Sequence, residues 1–205
     1  TLSDRAQRLK DDPSAAETML DRHATACVEN ISELAQKIDS TRLKAAVDAL
    51  ASARNVIVFG AFSSTGVAEY MSYVAQFFTS NWRLAGRMGA SLGTTLAELH
   101  SDDVVLIVTK SPYARRAVTA AEMAKEVGAK VIVITDSHAC PTNRYGDFSF
   151  IVPSESPQFF SSYVATMALM ETMIAMLVAQ SGDDASEKIR DVEARNKRLG
   201  DFWAE

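Results

Sequence analysis

The chain has 205 residues, 47% hydrophobic and 23% charged, enough apolar material for one substantial core near the upper size of a single domain. Its net charge of −5 and pI near 5.3 oppose binding to a phosphate backbone, so the chain is not expected to grip nucleic acid by itself. Two cysteines, Cys27 and Cys140, stand in separate segments without zinc-ligand spacing or a disulfide pattern, which fits a reducing cytoplasm.

Thr1 to Pro13 is polar where a secretory signal needs an apolar run, and a start at Thr1 on linker-like sequence points to a piece of a longer protein. From Ala16 to Ile38 the residues Leu20, Ala24, Cys27, Val28, Ile31, Leu34, Ala35 and Ile38 recur every three or four positions, the stripe of an amphipathic helix. A second helix follows from Thr41. Val56 to Phe59 then forms a continuous apolar run ending at Gly60, as in a strand covered on both sheet faces. Helical spacing returns with Val67, Met71, Val74, Ala75 and Phe78.

The alternation continues through a weaker strand at Trp82–Ala85, a strong one at Val104–Thr109, a helix at Ala114–Val127 ended by Gly128, and a strand at Val131–Thr135. A short strand at Phe148–Val152 precedes a long helix from about Phe159 to Gln180. The apolar stretch Tyr163–Ala179 inside it is marginally short for a bilayer and contains Glu171, so it reads as a buried helix, equally suited to a protomer interface. This order predicts an α/β fold: a three-layer α/β/α sandwich around a five-stranded parallel sheet. The expected organisation is a lead-in over residues 1–40, the main domain over 41–183 and a C-terminal helix over 184–205.

In such sheets ligands settle at the carboxyl ends of the strands, where the strand order reverses. Three loops lie there. Gly60-Ala61-Phe62-Ser63-Ser64-Thr65-Gly66 places three consecutive hydroxyl residues at a helix start, either as an anion site or with Ser63 or Ser64 as a simple cap. Thr109-Lys110-Ser111-Pro112-Tyr113-Ala114-Arg115-Arg116 repeats the design, with Ser111 as the expected cap, Lys110 as a full positive charge, and Arg115 and Arg116 read as solvated surface. The third loop opens Thr135-Asp136-Ser137-His138. The expected ligand-binding set is Ser63, Ser64, Thr109, Lys110, Ser111, Tyr113 and Thr135. No nucleophile-and-base signature, metal-ligand spacing or lysine-terminated P-loop occurs, so neither a metal nor a cofactor is expected.

At these loops the sequence resembles the SIS (sugar isomerase) domain, more specifically the version found in RpiR-type regulators. Asn55 to Gly60, continuing to Ser64, Val67 and Ala68, is similar to that family's first strand and G-x-G-x-S turn. Asp103 to Thr109 with Ser111 is similar to the strand entering its S-x-S-G-x-T phosphate loop, and Ile134 to Ser137 with Cys140, Pro141 and Asp147 to the stretch after the fourth core strand. The departures are Phe62 for the second glycine of the first motif, and Thr109, Pro112 and Ala114 for a serine, the glycine and the threonine of the second. Proline has no N–H to offer a phosphate, so a differently placed anionic group, as in a sugar acid, is an alternative ligand.

The resemblance implies a flavodoxin-like strand order, and an effector-binding and oligomerisation domain that senses a sugar phosphate or related acid as a homodimer or homotetramer. Operator DNA would be read only through an upstream helix-turn-helix domain. Two alternatives stay open. One is an aldose–ketose isomerase, with Glu98, His100, His138 and Glu155 as candidate acids or bases. The other is a dimerisation module with a vestigial pocket.

Overall fold

Five parallel strands set the frame in a computed structural model that describes residues 1–87, 91–201 and 203. They are β1 (Val56–Gly60), β2 (Trp82–Leu84), β3 (Val104–Val108), β4 (Lys130–Thr135) and β5 (Phe148–Ile151), in the order β2-β1-β3-β4-β5. The expected flavodoxin-like sheet is present. β1, β3 and β4 are buried almost throughout because helices cover both faces, so their sequences read as unbroken apolar runs.

The strand period of two divides the core. Val56, Val58, Leu106, Val108, Ile132 and Ile134 face one side, against α3 (Ser40–Ser52), α4 (Ser64–Ala75) and α7 (Val164–Gln180). Ile57, Phe59, Val105, Ile107, Val131 and Val133 face the other, against α6 (Arg115–Glu126) and its four buried alanines, which let that helix approach the sheet closely. α6 ends where expected: Gly128 has φ +82°, a left-handed conformation that glycine adopts without steric cost.

Several boundaries differ from the sequence reading. The opening segment contains a helix, α1 (Leu2–Lys10), closed by a capping box between Thr1 and Asp4. A short helix, α5 (Leu92–Ala97), has too few residues to show periodicity and was not expected. The long helix starts at Val164 rather than near Phe159, since Pro157 and the turn bond from the Ser162 N–H to the Ser154 carbonyl keep the preceding segment irregular. The C-terminal helix α8 runs Gly182–Leu199, and part of the tail expected to extend it, residues 202, 204 and 205, lies outside the described residues. No single described helix is long and apolar enough to cross a membrane.

The lead-in helix α2 (Ala15–Lys37) forms at full length but is poorly covered. Only Asn30 and Leu34 are buried, while Leu20, Val28 and Ile31 are exposed. Its stripe is therefore real as periodicity and largely unspent as packing.

Candidate functional site

The strand order reverses between β1 and β3, which pair in register from Val56 opposite Val104 to Gly60 opposite Val108. This register sets the loops after Gly60 and Val108 side by side at the carboxyl end of the sheet. The turn after β1 is tight: a Cβ on Gly60 would lie 2.3 Å from the Ser64 carbonyl oxygen, so only glycine fits. Phe62 has φ 54°, a left-handed conformation that glycine adopts freely and phenylalanine does not, and its side chain is exposed. The chain keeps the turn at the motif's second glycine position despite the strain.

Ser63 and Ser64 stand at the start of α4, but neither side chain caps the helix. Their hydroxyls instead meet the Tyr163 hydroxyl, at 2.8 Å from Ser63 and 2.9 Å from Ser64. Ser64 is buried and Ser63 exposed. Tyr163 is the residue before α7, and the sequence reading did not include it in the site. The missed signal was a tyrosine placed among serines just ahead of an apolar helix.

The loop after β3 departs most from expectation. Lys110 is not a free surface charge: it is 6% exposed, donates from Nζ to the Ser162 carbonyl oxygen at 3.0 Å, and lies 4.8 Å from the centre of the Tyr163 ring. Among the described residues no carboxylate forms an ion pair with it. Burial pushes its ammonium down from 10.5 to about 8, and the charge of Asp136 offsets only part of that shift. A buried cation with one carbonyl and one aromatic face for company is short of counter-charge. Ser111 does not cap a helix, because α6 begins only at Arg115 with Ala114 before it; the Ser111 N–H donates instead to Asp136 Oδ2 at 3.0 Å. The Ser111-Pro112 peptide bond is cis.

Tyr113 donates its hydroxyl to Asp136 Oδ1 at 3.0 Å, and burial together with that carboxylate pushes the phenol up to about 12. Thr135, fully buried, donates to the same carboxylate oxygen at 3.4 Å. Thr109 is buried beside them, its N–H on the Ile134 carbonyl. The seven expected residues thus fall into two groups. Ser63, Ser64 and Lys110 converge on Ser162 and Tyr163, whereas Ser111, Tyr113 and Thr135 converge on Asp136, and Thr109 joins neither group.

The candidate acids and bases divide as well. Glu98 pairs with Arg83 and His100 lies beside Asp102, both ahead of β3 at the amino end of the sheet, away from the loops. His138 and Glu155 line a cleft of about 500 Å³ beside β5, together with Asp136, Lys37 and Arg42. Arg115 and Arg116 are exposed as expected, with the Arg116 guanidinium 5.6 Å from the centre of the Phe59 ring. Among the described residues no cluster of three or more histidine, cysteine or acidic side chains is arranged to hold a metal ion.

Solved structures share this architecture. The sugar isomerase domain of an RpiR transcription factor from Sphaerobacter thermophilus has 24% identity and a TM-score of 0.81, covering 86% of this chain and 99% of that one. The Vibrio vulnificus NanR protein, solved with ManNAc-6P, has 16% identity and a TM-score of 0.77, covering 91% of this chain and 72% of that one. A phosphoheptose isomerase from Francisella tularensis has 15% identity and a TM-score of 0.65, covering 78% of this chain and 97% of that one. At these identities the likeness is one of fold, shared by regulators and enzymes alike. A sequence profile of the SIS domain matches residues 49–176, from the end of α3 into α7 and so across the whole sheet and its three loops, and the chain belongs to the SIS domain family.

Proposed function

We propose that this chain is the effector-binding and oligomerisation domain of an RpiR-type transcriptional regulator, sensing a small anionic sugar derivative at the loops after β1, β3 and β4 without converting it. The observation that carries the reading is Lys110, a buried ammonium with no ion-pair partner among the described residues, placed with Ser63 and Ser64 at the reversal of strand order. An anion entering there supplies the missing counter-charge. The NanR protein bound to ManNAc-6P supports a phosphorylated amino sugar as one ligand to try. Operator binding would belong to a separate helix-turn-helix domain, as the charge of −5 on this chain suggests.

A thermal-shift screen of sugar phosphates and sugar acids tests the site. A ligand at a hundred times its Kd should stabilise the protein by about 2.7 kcal/mol, roughly 5–10 °C for a domain of this size. Ser64→Ala should weaken that ligand by about threefold to tenfold. The isomerase reading is favoured by one observation, the placing of His138 and Glu155 in a cleft with Asp136. Conversion of the bound aldose to its ketose, followed by NMR, would decide for it.

The exposed side chains of Leu20, Val28 and Ile31 on α2, with Val164 at the start of α7, support self-association through these two helices. Light scattering at micromolar concentration should give a dimer or larger species. A monomer would remove the oligomerisation half of the reading.

A further inference from the structure

The segment joining β5 to α7, residues 152–163, reaches the site at its far end, where Tyr163 packs against the edge of the core and three polar contacts fasten the chain. Lys110 holds the Ser162 carbonyl, and Ser63 and Ser64 hold the Tyr163 hydroxyl. Near its start the segment is tied to α2 by a two-way pair: buried Asn30 donates to the Glu155 carbonyl at 2.8 Å and accepts from the Glu155 N–H at 3.1 Å. The polar groups gathered at the reversal of strand order therefore point at this chain's own residues. The Tyr163 side chain lies among Ser63, Ser64 and Lys110, and none of these three lines the clefts beside β5, α2 and α7 among the described residues.

Resting on the reading of the site given above, we propose that Tyr163 is a displaceable internal occupant of the anion position and the residue that sets ligand specificity there. Its hydroxyl holds the place of a ligand oxygen between Ser63 and Ser64, and its ring shields the Lys110 ammonium. An anionic sugar derivative binds by turning the ring outward and taking over these three partners. There is room for the ring: a cleft of about 510 Å³ lies on the outer side, lined by His23, Gln158, Met167 and Glu171 as well as Tyr163 itself. The exchange is favourable because a neutral phenol satisfies two hydroxyls but leaves the buried ammonium without a counter-charge, which an anion supplies. With the ring in place the anion position is closed, so Tyr163 decides how large an anionic group can enter.

Two measurements on the wild-type chain, Tyr163→Phe and Tyr163→Ala test this. In the first, Lys110 is acylated with N-hydroxysuccinimidyl acetate and followed by peptide mass spectrometry. A shielded amine reacts only when the structure opens, so Tyr163→Ala should react about tenfold faster or more, and Tyr163→Phe, which keeps the ring, near the wild-type rate. In the second, inorganic phosphate, ManNAc-6P and gluconate are titrated by calorimetry. Tyr163→Phe should bind the best of the three about threefold to tenfold more tightly than wild type, because the anion no longer competes with the phenol for Ser63 and Ser64. Weaker binding by Tyr163→Phe would overturn the proposal, since Tyr163 would then be a direct ligand contact. Unchanged acylation in Tyr163→Ala, with the variant still folded by circular dichroism, would overturn the shielding. If none of the probes binds any of the three proteins while Tyr163→Ala acylates rapidly, the anion-site reading itself fails and the displacement falls with it.

Discussion

Lys110→Met should make the protein more stable at pH 7 and at the same time weaken its anionic ligand by about tenfold to a hundredfold, the range of one charge-assisted hydrogen bond. The two effects have one cause. Holding a buried ammonium at about 8 instead of 10.5 costs the folded state about 3 kcal/mol while the group is protonated. Methionine matches the length of the lysine stem without the charge, and leaves only the Ser162 carbonyl short of a donor. The net gain should be about 2 kcal/mol, or roughly 4–8 °C in Tm for a domain of this size.

The unfolded chain keeps its proton up to about 10.5 and the folded chain up to about 8, so the penalty is complete below pH 8 and fades as the pH rises towards 10.5. The stability advantage of Lys110→Met should shrink over that window. Wild-type affinity for the anion should likewise fall as the pH passes 8, because the deprotonated amine no longer attracts it. Scanning calorimetry and ligand titration at pH 7 and pH 9.5 measure both. A destabilised Lys110→Met with unaltered ligand affinity would mean that Lys110 is a structural tether and not part of a binding site.

The second large effect lies at the other end of β3. Asp103, 2% exposed, accepts from the guanidinium of Arg54 at 3.0 and 2.7 Å, from the Asn55 N–H at 3.0 Å and from the His100 N–H at 2.8 Å. It joins the entry to β1 with the entry to β3, and so fixes the register that sets the two loops side by side. Asp103→Ala should cost about 3 kcal/mol, chiefly because two part-buried backbone N–H groups and the Arg54 guanidinium lose their acceptor together. Burial tends to raise the carboxyl's pKa, but the hydrogen bonds from Arg54, His100 and Asn55 outweigh it and hold the group below its ordinary 3.8. The stability it contributes is therefore complete above pH 4 and lost as the pH falls through the lowered value. Urea titrations at pH 7 and pH 3 should show the difference between wild type and Asp103→Ala narrowing at the lower pH. An equal difference at both would show that the carboxylate is not the source of the stabilisation.

Sequence alone determined the strands, gave their order through the family resemblance, and pointed to the carboxyl-end loops as the candidate site. β1, β3 and β4 announce themselves because a strand covered on both faces must be apolar at every position, and Gly60 and Gly128 mark turns that other residues fit poorly. Hydroxyl residues following those strands then fall at the carboxyl end of the sheet by topology. What Ser63, Ser64, Lys110 and Ser111 touch was decided only by tertiary structure. Serines at a helix start look like caps in any sequence, and nothing along the chain marks Lys110 as buried, because a sequence shows only neighbours in order. Their actual partners, Tyr163, Ser162 and Asp136, are 25 to 100 residues away. They arrive through the packing of α7 against the sheet and of β4 beside β3, contacts that no local pattern encodes.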